Sequence, residues 1–392
     1  MEVGIGRSTN TADSFKAGSE AAKAALARMN GKKPDFALLF TTEQFDQRRV
    51  LDGVHSVIGE VPLSGCCAGG VITAEALSRE SVLLIAVASD AMKFVPAIGK
   101  GLSKSERSCV EEIAKSFGTH LEEMLPGMKD AAILVFPDAF TGNTVELVDA
   151  LYKQMGAGYK FVGGGAGDNL KFFKTYQFMG KEVFSDAVAC GLLLSKEKIG
   201  MGVAHGWTPV GENLVVTSSK GNVVQTLSGS PAYEAYTKLF KNVPSIKEFA
   251  AFAAAHPLGI VTRKKGGYLI RDPLKANDDG SLTCVASVPE NSVVRIMEGD
   301  KKTLIKAARK AAQDAKKGLG GAEAGIVFVF DCISRLLFLG EDAKKEIDAV
   351  REVFGKEVPV AGIFTFGEIA QPTAGGIPQF HNKTIVVCAL PK

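Results

Sequence analysis

PDFALLF (34–40), VPLSGCCAGG (61–70) and SVLLIAVAS (81–89) decide the fold, because the chain says them again. DAAILVFPD (130–138), YKFVGGGAGD (159–168) and DAVACGLLLS (186–195) form the second set. AGIVFVFD (324–331), VPVAGIFTFGE (358–368) and NKTIVVCAL (382–390) form the third. Gly65, Gly163 and Gly362 fall at one place in this alignment, just after a strand that follows a helix. Internal similarity at so long a period marks a repeated supersecondary unit.

The repeat extends backwards. VGIGRS (3–8), FVPAIGKG (94–101) and VVRIMEG (293–299) each read as an apolar strand leading into an amphipathic helix. Thr11, Ser105 and Asp300 stand where a side-chain oxygen caps such a helix. The expected class is α/β, with mixed sheets built from three βαβαββ-like repeats. Strand–helix–strand segments favour parallel pairing, and the closing strands of each unit pair antiparallel. A β-rich insertion, about 196–291, precedes the third repeat. It carries NLVVTSSKGNVVQTL, GYLIRD and LTCVASV, with helices expected in PAYEAYTKLF and SIKEFAAFAAAH. Two regions are expected, 1–225 with two units and 226–392 with the rest of the insertion and the third.

Composition excludes several classes. Lys plus Arg exceed Asp plus Glu by three, too little to point to nucleic acid or an acidic membrane. The basic run from Lys301 to Lys317 has the spacing of a solvated helix face. No apolar run reaches the ~18 residues of a membrane span. The start, MEVGIGRSTN, carries no secretory pattern. Seven scattered cysteines without a C-x-x-C pair read as reduced thiols, so a cytoplasmic setting is expected.

The glycine turns 65–70 and 163–167 are candidates for cradling an anion with backbone N–H groups. Neither is a Walker loop or a dinucleotide fingerprint. Cys66 and Cys67 are adjacent thiols in the first turn, and His205 or His381 is the base that a nucleophile there would need. His205 and Trp207, in HGWTP, suit a binding wall. Arg271 ends an apolar strand and is apt for gripping a carboxylate. Glu368, after another apolar strand, is a candidate for holding an ammonium. His381 and Asn382 open the last strand. No metal-ligating motif and no haem-attachment signature is present.

Taken in order, VPLSGCCAGG, FVGGGAGDN, GVAHGWTPVGENLVVT, GNVVQTLSGSPAYEAY, HPLGI, YLIRD, GIFTFGEIA and HNKT resemble the FIST family, an N region followed by a C region. The resemblance implies an intracellular sensory module for small molecules, with amino acids the ligands usually proposed, and a separate output protein as partner. The ligand contacts then expected are Gly65, Cys66, Cys67, Gly163, Gly164, Gly165, Asp168, His205, Trp207, Arg271, Glu368, His381 and Asn382. Binding without turnover, with no cofactor, is the leading expectation. The alternatives are a haem-dependent nitric-oxide sensor and an enzyme using Cys66 or Cys67.

Overall fold

Four largely apolar strands per unit build the frame. Phe36–Thr41, Val82–Ala88 and Ile385–Pro391 are buried along their whole length. Such continuous runs suit sheets covered on both faces. The computed structural model describes residues 1–392 except 264–265 and 372–375, and except the side chains of 120, 122 and 123.

Among the described residues the strands form four sheets, three of six strands and one of eight. The first runs Glu2–Ser8, Val82–Ala88, Phe36–Thr41, Leu63–Cys67, then the hairpin Gln177–Met179 and Glu182–Phe184. The second runs Met92–Lys100, Ala187–Ser195, Asp130–Pro137, Lys160–Gly164, then the hairpin Glu368–Ala370 and Gln379–His381. The third runs Gly200–Ala204, Ile385–Pro391, Ala324–Cys332, Val360–Thr365, then the hairpin Gly70–Thr73 and Leu77–Ser78. In each, the second and third helix-linked strands pair parallel and the rest antiparallel. The closing hairpin always comes from another part of the chain, so the three sheets are locked in a ring of exchanges. Expectation placed those strands inside their own units. Antiparallel pairing needs only a free edge, and the nearest one belongs to the neighbouring sheet.

The third sheet corrects a second expectation. Its first strand is Gly200–Ala204, and Val293–Glu298 instead joins the eight-stranded sheet beside Thr208–Lys220. The insertion therefore opens after residue 204, inside the third unit, and closes at the helix Lys301–Gly318. It has its own core of Tyr236, Phe249, Leu258, Val294 and Ile296. The helices expected there are short, Ala232–Thr237 and Phe249–Ala253.

One core joins the three frame sheets. Phe36 stacks on Phe94, and Phe136 meets both Phe40 and Phe330. Helices cover the outer faces. Lys301–Gly318 turns Leu304, Ala308, Ala311 and Ala315 inward and its lysines outward. Asp300 caps it through the Thr303 amide at 2.7 Å, with Thr303 Oγ1 returning a bond to the Asp300 amide. Ser105 caps Glu106–Met124. The cap of Ser14–Leu26 is Asp13 rather than Thr11.

The three aligned glycines lie inside the strands Leu63–Cys67, Lys160–Gly164 and Val360–Thr365 rather than in turns just after a strand as expected, and Gly65 and Gly163 show why. A Cβ on either would lie 1.8 Å from the Leu39 carbonyl oxygen or 2.2 Å from that of Val135, each on the adjacent parallel strand. Their φ angles are +153° and +145°. Only glycine permits that approach.

Candidate ligand-binding site

The strand Ala324–Cys332 passes without a loop into the helix Ile333–Leu339. This junction puts Cys332, Ser334, Leu337 and Phe338 on the wall of a cavity of about 870 Å³. The insertion supplies the opposite wall through Asp272, Leu274, Val285, Ser287 and the Ala250–Ala255 stretch. The second unit adds Phe140, Asn143, Thr144 and Phe172, and the turns of the third unit add Phe366, Gly367, Asn382 and Lys383.

Lys383 is the crossroads. It is buried and holds φ +54°, a conformation uncommon outside glycine. Its ammonium pairs with Asp272 at 3.1 Å, donates to the Ala254 carbonyl at 3.0 Å, and stands over the Trp207 ring. Its carbonyl accepts from Trp207 Nε1 at 3.1 Å and Arg335 Nη1 at 3.2 Å. Arg335 is itself enclosed by Asp331 and Glu346. Burial pushes the Asp272 carboxyl up, and the Lys383 ammonium beside it opposes the rise. The result is a desolvated ion pair on the wall of a roomy cavity.

Next to it, Asn382 donates from Nδ2 to the His381 carbonyl at 3.1 Å, while its Oδ1 has no partner among the described residues. Cys332 lies 3.1 Å from Ser334 Oγ, and burial with the nearby Glu368 charge pushes its thiol up to about 12.

Of the residues expected from sequence, Asn382 alone lines this cavity. Arg271 sits one layer behind. It donates to the carbonyls of Ser287, Ile270 and Phe380 at 2.9–3.0 Å, and burial brings its guanidinium down to about 10. Glu368 is sealed, accepting from Thr365 Oγ1 at 2.7 Å and Thr384 Oγ1 at 2.6 Å, and burial raises its carboxyl to about 7. The structure thus does not bring Arg271 and Glu368 to one cavity. Trp207 supports the wall from behind, against Phe338 and Lys383. His205 Nδ1 accepts the Trp207 amide at 3.0 Å, and burial beside Arg335 lowers its ring to about 4. His381 Nε2 donates to the Ala370 carbonyl and is likewise held near 4 by burial.

The glycine segments do not line the cavity, although Gly69, Gly165 and Gly167 pack behind its Phe366. Cys66 and Cys67 are fully buried, and desolvation pushes both thiols well up. Gly164 and Gly165 receive the turn at Phe366–Gly367, with the Gly165 amide on the Gly367 carbonyl at 2.9 Å. Asp168 reaches the cavity indirectly. Its carboxylate accepts the amides of Phe172, Phe173 and Lys174, and so fixes the loop that carries Phe172 to the wall. Among the described residues no cluster of three His, Cys, Asp or Glu side chains is arranged to hold a metal ion.

The sequence that builds this frame and its insertion matches a known family. The FIST N domain matches residues 35–230 and the FIST C domain residues 232–371. The chain belongs to the FIST family, whose domains are recognised as sensory domains. An uncharacterized protein of Methanocaldococcus jannaschii is 26% identical over 303 residues, 74% of this chain and 57% of its own length. The chain thus spans little more than half of that relative. Uncharacterized proteins of two Mycobacterium tuberculosis strains are 24% identical over 96% of both chains. Among solved structures, a cyanuric acid hydrolase from A. caulinodans has a TM-score of 0.27 at 9% identity, covering 50% of this chain and 71% of its own. T. maritima PurL complexed with ADP has a TM-score of 0.24 at 10% identity, covering 100% of this chain and 71% of its own. Scores this low carry no argument. Among the described residues no helix is long and apolar enough to cross a membrane.

Proposed function

We propose that this chain is an intracellular sensory module that binds a small organic molecule in the 870 Å³ cavity, without turnover, and passes the signal to a separate output protein. The observation that carries the reading is the buried Lys383–Asp272 pair on that wall. Binding cavities of this size are mostly apolar with a few convergent polar groups, and these are such groups. An amino acid or similar small polar metabolite matches the pair, its carboxylate toward Lys383 and its ammonium toward Asp272. The reading requires neither haem nor metal.

A thermal-shift panel of the common amino acids tests it. At ~100 times the dissociation constant a ligand stabilises the fold by about 2.7 kcal/mol. Ala254→Trp, at an exposed wall position, fills the cavity and removes the shift while the unliganded protein melts normally. Mass spectrometry then recovers the ligand unchanged. A shift that survives Ala254→Trp contradicts the reading.

A further inference from the structure

The cavity lining falls into two unlike sets. One is polar, with Lys383, Asp272, Ser334 and the unpartnered Oδ1 of Asn382. The other is a cluster of phenylalanines, Phe140, Phe172 and Phe366, whose ring centroids stand 5.5–5.6 Å from one another. Ile333, Leu337, Phe338 and alanines add further apolar wall. A site for a small polar amino acid needs the polar set only.

From this we infer that the ligand is an amphiphile that joins an amino-acid-like polar head to an aromatic body larger than the side chains of the common amino acids. A head bearing N–H donors meets Asn382 Oδ1, and a flat apolar body lies against the three phenylalanines. The inference rests on the cavity reading proposed above and names the class of molecule for it.

Three observations converge. Asn382 is 2% exposed, so an acceptor left without a partner there costs desolvation free energy that a ligand donor returns. Phe172 is 59% exposed although aromatic, at φ +55°, and is held there by three amides on the buried Asp168 carboxylate. A ring fixed in an exposed, strained position has a use for that position. Finally, cavities toward 1,000 Å³ are of the order that encloses drug-sized molecules.

The test is a calorimetric series on the full chain with one head and a growing flat body: glycine, L-phenylalanine, L-tryptophan and O-benzyl-L-tyrosine. Affinity is expected to climb along the series, with the last member on the order of tenfold or more tighter than the first. Phe172→Ser, at an exposed side chain, flattens that climb. The N,N,N-trimethyl derivative of O-benzyl-L-tyrosine, which has no N–H to give, binds wild type at least about tenfold more weakly than its parent. Asn382→Leu abolishes that difference. Glycine binding as tightly as O-benzyl-L-tyrosine, or an unchanged climb in Phe172→Ser, overturns the inference and leaves the proposed function standing. Equal binding of the trimethyl derivative removes Asn382 from recognition. Failure of every member to bind overturns the cavity reading and this inference together.

Discussion

The repeated strand glycines and the cavity both stand among buried neighbours of the frame, yet they are opposite in character. Around Gly65 and Gly163 the backbone closes to a distance that excludes even a Cβ, and the thiols beside Gly65 are sealed. Around Cys332 and Lys383 the frame stands open to about 870 Å³, with a desolvated ion pair on the wall. What differs is the insertion. Repeated positions serve the exchange of strands among sheets. The position where the third unit is interrupted acquires a second wall, and with it a binding surface.

Breaking the closed region carries the largest expected effect. Gly65→Ala drives a Cβ into the Leu39 carbonyl and is expected to cost more than about 4 kcal/mol, read by urea unfolding. A cost under about 1 kcal/mol shows that the strand pair yields and is not close-packed there. Next comes the open region's ion pair. Lys383→Met strands Asp272 without its partner and is expected to cost about 3 kcal/mol, whereas Ser334→Ala on the same wall stays within about 0.5 kcal/mol.

A pH experiment sharpens the comparison at the seam between the regions, where Glu368 pairs across to Gly164. Its carboxyl is raised to about 7 by burial, so the folded chain holds a proton that the unfolded chain loses near 4.5. That contribution is fully present below the unfolded value and is lost as pH rises through 7. Wild type should therefore lose stability relative to Glu368→Gln between about pH 4.5 and 7, by on the order of 3 kcal/mol. His205 and His381, held near 4, act in the opposite direction in both proteins, so the difference reads Glu368 together with its charge coupling to the buried Asp331, whose carboxyl burial also raises. A flat difference curve contradicts the assignment.

The smallest effect concerns the first helix. Asp13→Ala is expected to cost about 1 kcal/mol and Thr11→Ala almost nothing.

The sheets were legible in the sequence because their strands are continuous apolar runs, and Ser105 and Asp300 because caps act within three residues. The hairpin exchange was not. Nothing local says which sheet's free edge Gln177–Met179 will meet. Val293–Glu298 imitates the first strand of a unit because it too precedes a capped helix, while the true strand, Gly200–Ala204, lies before the insertion. At the site, the motifs YLIRD and HNKT contain Asp272 and Lys383, but the sequence favours their neighbours Arg271 and His381 as contacts. Where both faces of a strand are buried, alternation does not tell which side chain looks into a cavity. Cys332 was hidden for a related reason, since AGIVFVFDCIS gives no break where strand becomes helix.

The central claim is that the ligand sits against the insertion and not in the glycine segments. Hydrogen–deuterium exchange of the full chain, with and without the tightest binder from the amino-acid series, tests it most directly. The account predicts slowed exchange in peptides covering 140–145, 250–255, 272–274, 283–287 and 332–338, with 63–70 and 160–168 unchanged. Protection confined to 63–70 and 160–168 contradicts it.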